Sequence, residues 1–361
     1  MKKWANRWLV GLALLVLASL AARAEFAAVV PGQAVSLPRD LGAHPEFRTE
    51  WWYVTGWVSD SDAVSRGFQV TFFRVATGLA VDNPSRFAPQ QLVMAHAAVA
   101  DPGQGRLLHG ERASRADGPL AGADTAMTRA WVRDWRLEGD GKTYSASVVD
   151  AEFAFDLRLA ATQAPLLNGA AGYSRKGPEP ASASFYYSQP QLAVEGRLRI
   201  GEREFSVQGR AWLDHEWSSA YLPKGARGWD WIGINLTDGG ALMAFRMRDG
   251  DGQALWAGAS LRAPDGSAQT FGPAEVRFQP GPSWTSPRSG ATYPVGWTVE
   301  LGNGPAKRRF TVEPMMTDQE LDSRASTGTI YWEGAVRVRE AGVERGHGYL
   351  EMTGYAGELA M

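Results

Sequence analysis

The sequence predicts an all-β protein built from two antiparallel barrel- or sandwich-like units. Three observations carry this. Short segments of alternating apolar and polar residues recur along the chain. Turn-forming residues are frequent, with 41 Gly and 20 Pro in 361 residues. Stripes of 3.6-residue periodicity are scarce. One sheet of so many strands would curl or split, so two units are expected. The Pro/Gly stretch from Ser219 to Gly228 is the natural junction. The expected organisation is a leader over 1–24, a first unit over 25–219 and a second over 220–361.

In chain order, Trp51 to Val58 is apolar on both faces, with Gly56 marking a bulge or a close approach. Phe68 to Phe73 alternates, and Leu92 to Val99 is an apolar run holding His96. Trp131–Leu137 and Phe153–Leu159 read as hairpin partners, with a turn near Gly139–Gly141. Leu192–Ile200 and Phe205–Leu213 form a hairpin about Gly201. Trp229–Leu236 and Ala241–Met247 form another about Asp238–Gly240. Shorter strands are expected at 254–261, 276–278, 297–301 and 310–312. Ile330–Val338 and Gly348–Tyr355 close the chain.

The first residues read as a secretory leader. Lys2, Lys3 and Arg7 precede an apolar run, Trp8–Leu20, too short for a stable span, and Ala22-Arg23-Ala24 is a small-x-small cleavage site. A periplasmic or secreted location is expected, with cleavage after Ala24 and no transmembrane anchor remaining. Residues 1–24 hold four of the 37 basic residues and none of the 39 acidic ones, which leaves 33 against 39 and a net charge near −6. That argues against a nucleic-acid partner. The absence of cysteine removes disulfides, thiol nucleophiles and thiolate metal sites.

The stretch with most chemical content is Arg210-Ala-Trp-Leu-Asp-His-Glu-Trp-Ser-Ser219. If the strand entering it continues, His215 joins the face of Phe205, Val207 and Leu213, and Asp214 and Glu216 join Trp212 on the other. A carboxyl beside indole rings is poorly solvated, so its pKa rises and it can serve as a general acid. The alternative is a polar strand end in which Asp214 pairs with Arg210. Because neighbouring residues of a strand face opposite ways, Asp214, His215 and Glu216 cannot together ligate a metal, and neither metal nor cofactor is expected. His44, Glu50, Trp51, Trp52 and Tyr53 form a polar cluster at an aromatic mouth, or an N-terminal plug. His96 is a core histidine or a ligand contact. His347, Tyr349, Glu351, Thr353 and Tyr355 share a face that lines a polar cavity or, as the better match to an antiparallel sheet, meets solvent. Thirteen tryptophans follow the leader, eleven of them in predicted strands, and they fill cores or line a cavity for an apolar ligand. No Gly-x-Ser-x-Gly, P-loop, GxGxxG or His-Glu-x-x-His motif is present.

Glu50-Trp-Trp-Tyr-Val-Thr-Gly-Trp57, Trp212-Leu-Asp-His-Glu-Trp-Ser-Ser219, Trp229-Asp-Trp-Ile-Gly-Ile-Asn-Leu236, Tyr331-Trp-Glu-Gly-Ala-Val336 and Gly348-Tyr-Leu-Glu-Met-Thr-Gly-Tyr355 resemble the AttH-like family. These secreted proteins are related to carotenoid 1,2-hydratases and often called predicted secreted hydrolases. The resemblance covers nearly the whole chain after the leader. It implies two lipocalin-like antiparallel β-barrels. It also implies catalysis by an Asp-His pair ending a barrel strand, matched by Asp214 and His215, with Glu216 beside them. An apolar isoprenoid- or lipid-like ligand would meet His44, Glu50, Trp51, Trp52, Tyr53, His96, Tyr187, Trp212 and Trp217. The chain departs from the hydratase branch at Phe185, Tyr187 and Glu216. The rival implication is a non-catalytic periplasmic lipid-handling module working with ABC-exporter components of the lipoprotein-release type.

Overall fold

A computed structural model describes residues 26–79, 83, 85 and 87–357; the expected leader lies outside them. Apart from three short 3-10 turns, the regular elements are strands. In order they are β1 (Thr49–Ser59), β2 (Ser65–Ala76), β3 (Gln91–Ala100), β4 (Leu107–Arg115), β5 (Ala121–Ala123), β6 (Thr128–Val132), β7 (Trp135–Gly139), β8 (Thr143–Val149), β9 (Phe153–Ala160), β10 (Leu166–Leu167), β11 (Tyr173–Arg175), β12 (Ala183–Ile200) and β13 (Arg203–Ser218). After the Pro/Gly junction come β14 (Gly228–Leu236), β15 (Ala241–Arg248), β16 (Ala254–Arg262), β17 (Ala268–Phe271), β18 (Val276–Pro280), β19 (Trp284–Thr285), β20 (Thr292–Tyr293), β21 (Trp297–Leu301), β22 (Arg308–Pro314), β23 (Glu320–Ser323), β24 (Thr329–Glu340) and β25 (Val343–Met352). Among the described residues no helix is long and apolar enough to cross a membrane.

The first sheet runs β4-β3-β2-β1-β13-β12-β9-β8-β7-β6-β5, and its two ends approach each other, so it is a nearly closed antiparallel barrel. The second runs β17-β16-β15-β14-β25-β24-β22-β21-β18, with β16 returning toward β18. This is the architecture of two lipocalin-like units. Each has its own apolar interior: Trp52, Phe72, Trp135 and Trp217 in the first, Trp297, Phe310, Trp332 and Leu350 in the second.

One pairing differs from the sequence reading. Trp131–Leu137 is not a single strand. Arg133 takes a φ of 59°, a tight turn folds β6 onto β7, and Val132 and Trp135 both point inward. The Gly139–Gly141 turn therefore leads into β8, and β9 pairs with β8 and β12. Gly56 is a close approach rather than a bulge: a Cβ there would lie 2.5 Å from the Phe68 ring.

A third apolar cluster lies between the units. The outward face of the first barrel contributes Tyr53, Trp57, Tyr186 and Trp212. The second contributes Trp231, Met243, Phe245, Tyr331 and Tyr349. The face of β25 expected to meet solvent is instead covered by the first barrel, with Tyr349 fully buried. The alternation that carried this reading also ends at Met352, and Tyr355 packs on Tyr293 of the second interior. Hydrogen bonds cross the seam from Trp57 Nε1 to Gly348 O (2.9 Å), from Trp231 Nε1 to the Tyr186 hydroxyl (3.0 Å) and from Asn235 Nδ2 to Ala211 O (3.0 Å). A bulge between Gln189 and Leu192, with Gln191 at a φ of 58°, turns the Gln191 side chain out of register to donate to Leu236 O and Gly240 O.

Gly67 on β2 sits where the barrels touch. A Cβ there would lie 2.6 Å from Tyr349 Oη and 2.7 Å from Ala335 Cβ. Gly67→Ala is expected to lower stability by about 1–3 kcal/mol through overpacking, measured by urea unfolding; an unchanged midpoint would show that the seam is loose.

Candidate active site

β13 keeps strict alternation to its end, and this sorts the residues of the Trp212–Trp217 motif onto two faces. Leu213, His215 and Trp217 point into the first barrel. Trp212, Asp214 and Glu216 point out into the seam, as do their β1 neighbours Thr55, Tyr53 and Trp51.

Inside the barrel, Glu50 is the centre of a closed network. His215 Nε2 and His44 Nδ1 each lie 2.8 Å from Glu50 Oε1, and Arg74 Nε lies 2.9 Å from Oε2. Arg74 also donates to His44 O and Phe47 O, which ties the N-terminal plug into the barrel mouth. Burial alone would raise the Glu50 pKa, but the His215 and His44 hydrogen bonds and the Arg74 charge overcome it and hold the carboxyl well below its ordinary range. An ionised Glu50 can only accept, so both imidazoles donate to it. Burial pushes His215 down, toward the neutral form, leaving Nδ1 to accept from the Tyr187 hydroxyl at 3.3 Å. His44 stacks on Trp217 at 3.8 Å and His215 on Trp52 at 4.8 Å. The potential ligand atoms of His44, Glu50 and His215 lie within 4.8 Å of one another, a spacing a metal ion could use. Arg74 already supplies the positive charge at Glu50, so the donor set is a poor match for a second cation.

The seam holds different chemistry. Asp214 is 2% exposed and accepts from three neutral donors: Ser188 Oγ (2.6 Å), Trp212 Nε1 (2.6 Å) and Tyr186 Oη (2.7 Å). Among the described residues no cation pairs with it; Arg210 is exposed and donates to Gln191 O. Burial dominates and pushes its pKa up to about 7, with the Glu216 charge adding to the rise. Glu216 is neutralised by Lys176 Nζ at 2.8 Å and accepts from Ser184. Lys176 in turn lies over the rings of Tyr186 and Phe245, one from each unit.

A groove of about 360 Å³ opens along the seam, lined by Thr55, Trp57, Arg210, Trp212, Asn235 and His347 among others. Trp212 belongs both to its wall and to the donors of Asp214. The Thr55–Trp212 pair is followed by Tyr53–Asp214, so Asp214 lies one pair, roughly 7 Å, beyond the groove. A carboxyl that titrates near neutrality can give up and take back a proton when a reactant, or a water relaying to it, comes within hydrogen-bond reach.

The sequence reading joined twelve residues into one site; the structure separates them. His44, Glu50, Trp52, Tyr187, His215 and Trp217 face the barrel interior. Trp51, Tyr53, Trp212, Asp214 and Glu216 face the seam. Pairing of Asp214 with Arg210 is replaced by the three neutral donors. His96 also crosses the seam, bonded to Tyr331 Oη (2.7 Å) and Ser326 Oγ (2.9 Å), and its burial lowers its pKa to about 3. Sequence reasoning missed Tyr186, Ser188, Lys176, Trp231 and Glu333. The spacing of two between Tyr186 and Ser188 was a usable signal, because β12 pairs with β13 and those residues share the Asp214 face.

Comparison with known proteins follows the geometry. A family model described as AttH-like matches residues 28–355. The crystal structure of an AttH from Nitrosomonas europaea superposes with a TM-score of 0.85 at 43% identity, over 91% of this chain and 100% of that one. Kievitone hydratase from Nectria haematococca shares the fold, with a TM-score of 0.66 at 14% identity over 93% and 97% of the two chains. The dehydratase asqC of Emericella nidulans is 29% identical over 157 residues, which span 41% of this chain and 42% of that protein.

Glu50→Gln removes the counter-charge of Arg74, which is 2% exposed, and is expected to cost about 3–5 kcal/mol. The sign of the pH effect is set by the depressed folded pKa: Glu50 contributes stability above its ordinary value of 4.5 and loses it as pH falls below that. The variant should therefore show a weaker loss of stability between pH 5 and 3 than the wild type in urea melts.

Proposed function

This chain belongs to the AttH-like family, and from that premise we propose that it is a hydratase or dehydratase acting on an apolar substrate at the seam between its two barrels, with Asp214 as the general acid. The observation that carries this is the setting of Asp214: buried, held by Ser188, Trp212 and Tyr186, with no cation paired to it among the described residues, and with a pKa near 7. An acid that titrates near neutrality has both the proton to give and the tendency to give it. Protonation of a trisubstituted alkene makes a tertiary carbocation. The indole of Trp212, which lines the groove, would stabilise that charge. Water then adds, and the reverse sequence removes water. Hydratase and dehydratase names among the fold and sequence relatives support this reaction class. The leader-like start supports export to the periplasm or beyond.

The test uses purified protein with squalene and nerolidol in oxygen-18 water, read by mass spectrometry. Asp214→Asn keeps an acceptor for Ser188 and Trp212 and can donate to the Tyr186 oxygen, but it cannot deliver the proton. It should melt close to the wild type and incorporate label roughly 10²- to 10⁴-fold more slowly. Equal incorporation by the variant, or an unchanged apolar ligand recovered from wild-type protein with no labelled product, would contradict the proposal; the second result fits a carrier.

A further inference from the structure

We infer that the paired carboxyls of Glu333 and Glu351, on the second barrel, form the proton acceptor of the same site, so that each barrel supplies one half of the acid–base machinery. The inference rests on the reading of Asp214 as the acid. Glu333 and Glu351 stand directly opposite each other in the β24–β25 ladder. Like charges placed so are mutually unfavourable, which favours a proton shared between the two carboxyls. Glu333 is buried and Glu351 half-buried at the seam, and loss of solvent raises both pKa values, Glu333 to about 7. Among the described residues neither is in an ion pair. Glu351 accepts from Trp229 Nε1 at 3.2 Å, while Glu333 Oε1 has no hydrogen-bond partner. Tyr53 Oη and Tyr331 Oη both stand beside Glu333, Tyr53 without closing a well-formed hydrogen bond and Tyr331 already bonded to His96. Tyr349 Oη, fully buried two residues from Glu351, is also unpartnered. Buried polar atoms are nearly always satisfied, so this group of orphans marks where a water or a substrate oxygen binds.

The geometry sets the pair against Asp214. β14 pairs with β25, placing Trp231 beside Glu351 and Asn235 beside His347. Trp231 reaches Tyr186, which holds Asp214, and the charges of Asp214 and Glu216 act on Glu351 across the seam. His347 and Asn235 line the groove, as Thr55 and Trp212 do on the other side. From the groove the first wall reaches Asp214 after one same-face pair, and the second reaches Glu351 after two, past Gly233–Tyr349.

In the hydration direction the Asp214 carboxyl gives its proton to one alkene carbon and the π bond breaks. A water oxygen then forms a C–O bond to the adjacent cationic carbon. The pair accepts the proton that this water releases. The sum is alkene plus water to alcohol; Asp214 ends ionised and the pair gains one proton, and exchange with solvent restores both when product leaves. Dehydration runs the same steps backward.

Glu333→Gln and Glu351→Gln, assayed separately with the same probes in oxygen-18 water, test the assignment. Each is expected to lower kcat/KM by about 10²-fold or more. Each should also remove the acid limb of the pH profile, which requires the pair to have lost a proton, while keeping the alkaline limb, which requires Asp214 to hold one. Glu333→Asp, which restores a carboxyl, should recover part of the acid limb. Melting at pH 8 should match or exceed the wild type, because a like-charge pair has been relieved. Variants that keep the wild-type rate and both limbs, while the Asp214 dependence stands, would make the pair structural and overturn this assignment alone. Loss of rate with both limbs intact would also overturn it. Failure of the wild type to form labelled product would overturn the parent reading and this one with it.

Discussion

Asp214 is buried under the second barrel and is held by a serine, a tyrosine and a tryptophan, none of which carries a charge. An ionised carboxylate in that setting loses its hydration without gaining a counter-ion, so the protein retains a proton there up to about pH 7. The seam depends on this condition. The surroundings of Asp214 have to exclude bulk water, which requires the second barrel to cover the outward face of β1 and β13 with Trp231, Phe245 and Tyr349. The arrangement costs stability. A folded-state pKa above the unfolded value means that folding takes up a proton, so the cost is absent below about pH 4 and grows as pH rises toward 7. The two barrel interiors and the hydrogen bonds from Trp57, Asn235 and Gln191 across the seam offset that cost.

One residue away on the same strand the electrostatics reverse. His215 faces the barrel lumen and donates to an ionised Glu50, which Arg74 neutralises. This network fixes strands β1, β2 and β13 against one another and against the plug at His44. A rigid inner face lets the outer face hold Asp214 and Tyr53 at constant spacing, the kind of support a preorganised acid needs. The adjacent Asp214 and His215 thus serve different ends: one holds an exchangeable proton, the other positions the strand that carries it.

Much of this was legible in the sequence. The alternation over Glu204–Leu213 extends through Ser218, and it alone separates His215 from Asp214 and Glu216. Poor solvation of Asp214 followed from its tryptophan neighbours. Other features were out of reach because they arise from contacts between distant segments. Arg74 meets Glu50 across β1 and β2, and Lys176 meets Glu216 from the loop before β12. Glu333 sits in Tyr-Trp-Glu-Gly, a local pattern that does not separate a seam residue from a surface one. The face of Tyr349 and Glu351 read as solvent-exposed because an antiparallel sheet commonly leaves one face wet; here the second barrel turns that face against the first. Trp131–Leu137 looked like one strand because periodicity cannot register a tight turn at Arg133.

The central claim is that Asp214 holds its proton near neutrality. Infrared titration of protein labelled with carbon-13 aspartate, taken as a difference against Asp214→Asn, reads that proton directly through the protonated carboxyl stretch. The account predicts a band assigned to Asp214 that disappears with a midpoint near pH 7. A midpoint near 4, the ordinary aspartate value, would contradict it.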